Sequence, residues 1–288
     1  MYDKILLPYD GSEGAAAVLH HASEIAHRSD ATIHVLYVAD TARESLTVVE
    51  SDVVDTLVQE GENTVDEAAK TLDTLGVTHE TDVVQGHPAE TIVEYAEHYD
   101  FDLVVMPTHG RKGISRYLIG SVSEKVVRLS SVPVLTVRML DDEPLAFPYE
   151  RILVPTDGSG RAAHAADHAL SLAATLDATV HVLSVVDTTS LGPDVRSVIS
   201  DGETVATEAV EAIVAEAEQR GIPTVEHVDE GAPVEGILDC IEANGIDAVV
   251  MGTAGRSGTE RILLGSVAEK TVRSAPVPVL TVRSPEPE

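Results

Sequence analysis

Short apolar runs alternate along the chain with longer segments of helical spacing. Runs of Val, Ile and Leu that are almost continuously apolar are typical of parallel strands, because helices cover both faces of a parallel sheet. In the first half of the chain these runs predict strands at Lys4–Pro8, Thr32–Val38, His79–Val84, Leu103–Met106 and Val134–Val137. Strands that alternate with helices in this way indicate β-α-β units, and hence an α/β fold.

The second half of the chain repeats the first. Lys4–Ser12 matches Arg151–Ser159, and Asp102–Arg138 matches Asp247–Arg283 through the shared ending Pro-Val-Leu-Thr-Val-Arg. Self-similarity over this length predicts two tandem copies of one domain, each with a doubly wound, five-stranded parallel sheet. Such a sheet binds ligands beyond the carboxyl ends of its strands, where the strand order reverses. We therefore expect the site in the loops after the first and fourth strands.

The repeat sets the expected domains at residues 1–140 and 149–288. Between them, residues 141–148 are acidic and contain two prolines, which is typical of a linker. The length of 288 residues agrees with two domains that each bury a core. The copies differ most at residues 41–62 and 188–203, and we expect these stretches to cover the site or a partner surface.

The composition excludes several kinds of partner. The formal net charge is −30, so nucleic acids and anionic membranes repel the chain. Hydrophobic residues make up 43% of the chain, too many for a disordered acidic protein, and no apolar run reaches the roughly 18 residues of a membrane span. Many acids and few aromatics are typical of a halophilic protein. The N-terminus lacks the pattern of a signal peptide, which predicts a cytoplasmic protein.

A glycine-rich loop follows the fourth strand of the second copy, with Gly252, Gly255 and Gly265. Glycines let a ligand approach the main chain closely, so that N–H groups can converge on an anion. Directly after this loop, Ser266–Glu269 predicts a capping box at the start of a helix, and Ser121–Glu124 does so in the first copy. A helix N-terminus aimed at the loop would suit a phosphate.

Charge distribution favours an anion site over the alternative that the glycines serve only turns and the serines only cap helices. Residues 102–138 and 247–283, which hold the two loops, contain eleven basic and five acidic side chains in a chain of net charge −30. Cations confined to these segments would keep an anion site attractive. The alternative for some of them, such as Lys125 and Arg128, is that they neutralise helix C-termini or face solvent.

The glycine spacing of the second copy is a specific motif. It is Gly252-x2-Gly255-x9-Gly265-Ser266, after Asp247–Met251 and before Val277-Pro278-Val279. This spacing is neither a Walker A loop nor the GxGxxG fingerprint. It resembles the nucleotide-binding motif of the universal stress protein family. The Pro-x-Asp-Gly-Ser end of the first strand and the Gly-x-Pro turn also fall in the family's order, so nearly the whole chain resembles a tandem universal stress protein.

The resemblance implies an adenine nucleotide alpha hydrolase-like fold that binds ATP, with or without Mg²⁺, or another adenine nucleotide. The ligand would lie between the ends of the first and fourth strands. In the second copy, Asp157 would contact the adenosine part and Val185 would line the base pocket. Gly252 and Gly255 would approach the ribose and phosphates, and Met251, just before them, is also expected at the nucleotide.

Gly265 and Ser266 would hold the phosphates at the start of the following helix. The matching residues of the first copy are Asp10, Val38, Gly110, Gly120 and Ser121. That copy departs from the motif at Pro107, which stands where the first glycine is expected. Proline removes an N–H and fixes φ near about −65°, so we expect the second copy to bind nucleotide better than the first.

Other polar residues do not predict catalysis or a metal site. His109 lies in the first loop, but its counterpart in the second copy is an alanine, so a shared catalytic role is not expected. His20, His21 and His27 share one helical stretch without a complete set of ligands. Cys240 is the only cysteine, and its position on an apolar helical face predicts burial rather than redox chemistry.

The resemblance favours a nucleotide-binding protein with a regulatory or stress-protective role over an enzyme. One alternative is a slow ATPase or phosphotransferase, although the sequence shows no arrangement of carboxylates and lysine for metal-assisted phosphoryl transfer. A second is a nucleotide-free interaction module, above all for the first copy. Family members commonly dimerise through the last strand, so Val132–Val137 and its twin would pair within one chain as a pseudo-dimer or between two chains as a homodimer.

Overall fold

The computed structural model describes residues 1–40, 50–108, 119–138, 145–189, 196–253 and 264–284. The chain divides into two compact units, Tyr2–Leu145 and Ala146–Glu288. Each unit holds one copy of the sequence repeat and builds a parallel sheet from five strands.

In the first unit, strands and helices alternate throughout. Its elements are β1 (Lys4–Pro8), α1 (Glu13–Ser29), β2 (Thr32–Asp40), α2 (Glu50–Leu75), β3 (His79–Gly86), α3 (Pro88–His98), β4 (Leu103–Pro107), α4 (Ser121–Leu129) and β5 (Val134–Val137). Neighbouring strands are parallel, and their order is β3-β2-β1-β4-β5. The predicted doubly wound α/β fold is confirmed. Strands β2, β3 and β4 extend one or two residues beyond their predicted ends, to Asp40, Gly86 and Pro107.

The second unit has the same sequence of elements. They are β6 (Arg151–Pro155), α5 (Gly160–Leu176), β7 (Thr179–Asp187), α6 (Arg196–Gln219), β8 (Thr224–Gly231), α7 (Pro233–Asn244), β9 (Ala248–Gly252), α8 (Ser266–Ser274) and β10 (Val279–Val282). The strand order is β8-β7-β6-β9-β10, again parallel throughout.

The central strand of each unit forms its core. Ile5, Leu6 and Leu7 in β1 and Ile152 and Leu153 in β6 are completely buried. Helices pack on both faces of each sheet, so these strands have no polar face. Burial of each such side chain contributes about 1.5–3 kcal/mol of hydrophobic stabilisation.

The strand order reverses between β1 and β4 in the first unit and between β6 and β9 in the second. Pairing across the second reversal is short, and it is limited to Ile152 with Ala248 and Leu153 with Val249. Helices α5 and α6 contact one another on one face of the sheet, and α7 and α8 contact one another on the other. The two strands therefore lead to opposite faces, which opens a crevice at their carboxyl ends.

Helix α1 buries a histidine. His21 is 2% exposed, whereas its neighbour His20 is exposed. Burial disfavours the charged imidazolium and lowers the pKa of His21 from 6.5 to about 4, although the exposed carboxylate of Glu24 lies 3.7 Å from its Nδ1. Between these two pH values the unfolded chain binds a proton that the folded chain excludes.

We predict that mild acid destabilises the first unit through His21. Because the pKa of His21 is lower in the folded state than in the unfolded state, the neutral imidazole contributes to the free energy of unfolding. That contribution is complete above pH 6.5 and is lost as the pH falls towards about 4. Between pH 7 and pH 5 the free energy of unfolding, measured by urea denaturation in concentrated salt, should fall by about 2 kcal/mol more in the wild type than in His21→Gln. His20→Gln is the control, and it should follow the wild type. Equal pH dependence in the wild type and His21→Gln would contradict the prediction.

Candidate functional site

Two residues after the first strand of each unit, an aspartate braces the turn into the following helix. In the second unit, Oδ1 of Asp157 accepts the N–H of Ser159 at 3.0 Å. Oγ of Ser159 accepts the N–H of Ala162 at 3.2 Å and so caps helix α5. Asp10 and Ser12 make the same two bonds before helix α1. Both aspartates are thereby held at the mouth of the crevice.

Helix α5 packs directly against the end of β9. A Cβ on Gly252 would lie 3.2 Å from the carbonyl oxygen of Arg161 and 3.7 Å from the nitrogen of Ala162. Backbone atoms of a helix cannot move aside as a flexible side chain can, so this strand end favours a residue without a side chain. In the first unit the larger residue is on the strand, at Pro107, and the glycine is on the helix, at Gly14.

The N–H of Gly252 points into the crevice. In β9, the N–H groups of Val249 and Thr253 donate to the neighbouring strand β10, at the carbonyl oxygens of Pro278 (2.9 Å) and Val282 (3.2 Å). Alternate N–H groups of a strand point to opposite neighbours. The N–H of Gly252 therefore points towards β6, beyond the last residues that pair between these strands.

The first unit lacks this amide. Val104 and Thr108 donate to the β5 side, so Pro107 occupies the position that faces β1, and proline has no N–H. Pro107 still belongs to β4, where it pairs with Val137. Its carbonyl oxygen accepts the hydroxyl of Ser123 at 2.8 Å, a bond that the alanine at the matching position of the second unit cannot make.

A threonine in each unit ties the two ends of the glycine loop together. The carbonyl oxygen of Thr253 accepts the N–H of Gly265 at 2.7 Å, and that of Thr108 accepts the N–H of Gly120 at 2.7 Å. The sequence prediction missed both threonines, although a threonine follows the fourth strand in both copies. These bonds hold the end of the fourth strand beside the start of the next helix, so that both line one crevice.

The predicted capping boxes are wrong. Helices α8 and α4 begin at Ser266 and Ser121, and their N-caps are Gly265 and Gly120, with no side-chain capping bond. The bond from Gly265 to the threonine holds this glycine extended, at φ −62° and ψ 145°, so its carbonyl oxygen accepts the first helical N–H, from Glu269 at 2.9 Å. The first-turn amides from Ser266 onward have no acceptor within the helix and are available to an anion.

The residues predicted at the base and ribose differ in exposure. Val185 in β7 and Val38 in β2 are half-buried near the carboxyl ends of strands that adjoin the crevice. Met251 is buried in β9, so its backbone rather than its side chain is available to a ligand. Gly110 and Gly255 lie outside the described residues.

Two of the cations expected to attract an anion are engaged in ion pairs. Lys125 pairs with Glu90, and this hydrogen bond lowers the pKa of the Glu90 carboxyl. Arg273 pairs with Glu269 at 2.9 Å. The cations of the loops themselves, Arg111, Lys112, Arg116, Arg256 and Arg261, lie outside the described residues.

Comparison with known proteins now identifies the family. The family model of the universal stress proteins matches the chain twice, over residues 1–138 and 148–283. The chain belongs to the universal stress protein family. A universal stress protein of Mycolicibacterium smegmatis is 27% identical, over 97% of this chain and 96% of its own length. Universal stress protein MJ0531 of Methanocaldococcus jannaschii is 37% identical over 141 residues, which are 48% of this chain and 83% of that protein.

Solved structures agree with a tandem universal stress protein. The crystal structure of a universal stress protein from Archaeoglobus fulgidus has a TM-score of 0.74 and 26% identity, and the match covers 97% of this chain and 98% of that one. The predicted tandem membership is confirmed by the two family matches and by relatives of matching length.

The remaining candidates can be placed within the described part of this universal stress protein. No group of three or more His, Cys, Asp or Glu side chains there comes together to hold a metal. Among the described helices, none combines the length and apolar character needed to span a membrane. Cys240 is buried, as predicted, and burial raises the pKa of its thiol. His109 lies outside the described residues.

We predict that a side chain at position 252 destabilises the second unit. Gly252→Ala would place a methyl group 3.2 Å from the carbonyl oxygen of Arg161, and crowding of this kind costs about 1 kcal/mol or more. Urea denaturation should show the loss. Gly160→Ala is the matched control, because a Cβ there meets nothing within 4 Å and alanine favours the helix by about 0.5–1 kcal/mol. If both variants lost the same stability, the close contact would not be the cause.

Proposed function

We propose that this universal stress protein binds ATP or a related adenine nucleotide in the crevice of its second unit, in a regulatory or stress-protective role. The observation that carries the proposal is the N–H of Gly252, which points into the crevice beside the first turn of helix α8. Two sets of backbone donors thus converge at one place. Such donors bind phosphates through hydrogen bonds and the positive end of the helix dipole.

The other end of the crevice suits the nucleoside. Asp157 lies at the end of β6 with one carboxylate oxygen braced by Ser159, so its orientation is fixed for contact with the adenosine part. Val185 is half-buried and offers methyl groups to the base. Met251 and Gly252 would contribute backbone groups near the ribose.

The phosphates would lie at the helix start. Gly265 and Ser266 form the N-cap and the first residue of α8, and Gly255 belongs to the loop before them. A Mg²⁺ ion bound with the nucleotide would offset part of its charge in a chain of net charge −30. Backbone amides can hold such a ligand without a catalytic base, which favours binding over hydrolysis as the function.

The first unit should bind more weakly. Its matching residues are Asp10, Val38, Gly110, Gly120 and Ser121. Pro107 removes the amide that Gly252 supplies, so one donor is missing from an otherwise similar crevice.

The proposal predicts that calorimetry with ATP and Mg²⁺ in concentrated salt finds one strong site for each chain. Gly252→Pro should bind at least about tenfold more weakly than Gly252→Ala, because a hydrogen bond to a charged group contributes about 1.5–3 kcal/mol. Both variants carry the crowding Cβ, whereas only proline lacks the N–H and fixes φ. The difference in affinity is therefore assigned to the amide when urea denaturation shows that the two variants are equally stable. Pro107→Gly should strengthen binding in the first unit.

Three outcomes would contradict this reading. No binding by the wild type would favour the interaction module without nucleotide. Equal affinities of Gly252→Pro and Gly252→Ala would remove the role of the amide. Steady release of ADP from bound ATP, measured on the same preparation, would favour the slow ATPase.

A further inference from the structure

A glycine inside helix α7 lies against the valine assigned to the base. The N–H of Gly236 donates to the carbonyl oxygen of Ala232 at 3.0 Å, so Gly236 is a true helical residue. Glycine in a helix costs about 0.5–1 kcal/mol relative to alanine. A Cβ on Gly236 would lie 2.8 Å from Cγ2 of Val185 and 3.6 Å from its Cγ1. The missing side chain is therefore what lets Val185 occupy its place.

Val185 has little freedom to yield. It lies in β7, two residues beyond the last pair with β6 at Leu183, and it pairs with β8, where it is opposite Asp229. Its branched side chain is restricted at χ1, so it cannot swing away without leaving its rotamer or moving the strand. A larger residue at position 236 would displace the Val185 methyl groups from their position against α7.

The first unit has a threonine at the position of Gly236. Val38 matches Val185, but Thr91 stands where the second unit has Gly236. Thr91 packs over Gly86, since a Cβ on Gly86 would collide with Oγ1 of Thr91. The matching glycine of the second unit, Gly231, has a φ of 137° and open space around its Cα. The two units thus pack this part of the helix differently.

We infer that Gly236 is a positioning residue that sets the base end of the second unit's nucleotide site by letting Val185 lie against helix α7. This inference rests on the proposed function. Gly236 would act on the nucleotide through Val185, against which it lies. The base end of the second site is therefore shaped by a residue that the family motif does not include.

Gly236→Ala tests the inference in the full chain, with ATP affinity measured by calorimetry. We expect about tenfold weaker binding, because crowding displaces Val185 from the base. The matched control is Gly202→Ala in helix α6. Gly202 is near the end of the stretch 188–203, but a Cβ there meets Val186 and not Val185. A Cβ on Gly202 would lie 2.8 Å from Cγ1 of Val186, the next residue of β7, so the crowding is alike but the affected side chain points to the opposite face. This control should bind ATP like the wild type.

A double-mutant cycle separates positioning from general strain. In a Val185→Ala background, Gly236→Ala should change ATP affinity by less than about twofold, because the methyl groups that it displaces are absent. If Gly236→Ala fails to fold, the double variant must still fold and bind like Val185→Ala.

The outcomes also separate this inference from the proposed function. A wild type that does not bind ATP overturns the proposed function, and the inference with it. A wild type that binds, together with unchanged affinity in Gly236→Ala, overturns the inference alone. Equal losses in Gly236→Ala and Gly202→Ala, or an undiminished effect of Gly236→Ala in the Val185→Ala background, would do the same.

Discussion

The crevice depends on where two parallel strands stop pairing. In the second unit the ladder between β6 and β9 ends at Leu153 and Val249, while β9 continues to Gly252. A backbone N–H that has lost its neighbouring strand must find another acceptor, because an unpaired buried N–H costs free energy. The half-buried amide of Gly252 faces the place where the sheet opens. In the proposed site, the main chain would therefore supply the first attraction for an anion.

The two units share this arrangement, but the glycine that allows close packing is at a different position in each. At the crevice a strand end meets a helix. The strand residue is Gly252 in the second unit and Pro107 in the first, and the helix residue is Arg161 in the second unit and Gly14 in the first. In each pair one residue lacks a side chain, so the helix can stay close to the strand. The exchange of Gly236 for Thr91 is likewise accompanied by a change in the turn before the helix. Differences between the duplicated units therefore come in compensating pairs, as close packing requires.

Much of this could be predicted from the sequence, because the informative signals are local or periodic. Continuous apolar runs identified the strands, and their alternation with helices identified the parallel sheet. The N-cap positions of Gly120 and Gly265 could not be predicted in this way. A serine followed three residues later by glutamate favours a capping box. The cap is instead decided by a tertiary hydrogen bond, which the N–H of Gly265 donates to the carbonyl oxygen of Thr253.

The contact of Gly236 also could not be predicted from the sequence pattern. Gly236 is far from Val185 along the chain, and only their meeting in space gives the glycine a role. The ends of β2 and β3 lie beyond their predicted positions because Ala39 pairs with Gln85 across the two strands. The sequence of either strand alone does not indicate this contact. Local pattern fails where a non-local contact determines the local choice.

The net negative charge of the chain is compatible with nucleotide binding at the proposed site. A chain of net charge −30 repels a polyphosphate at long range, and salt screens that repulsion together with the attraction of exposed cations. Several cations are already engaged by carboxylates, among them Lys125 with Glu90 and Arg220 with Asp167. Backbone donors at a strand end and a helix start act at hydrogen-bond distance, where screening is weak. A site built on such donors retains its attraction in the salt that screens repulsion among the surface carboxylates, so the acidic composition does not oppose nucleotide binding.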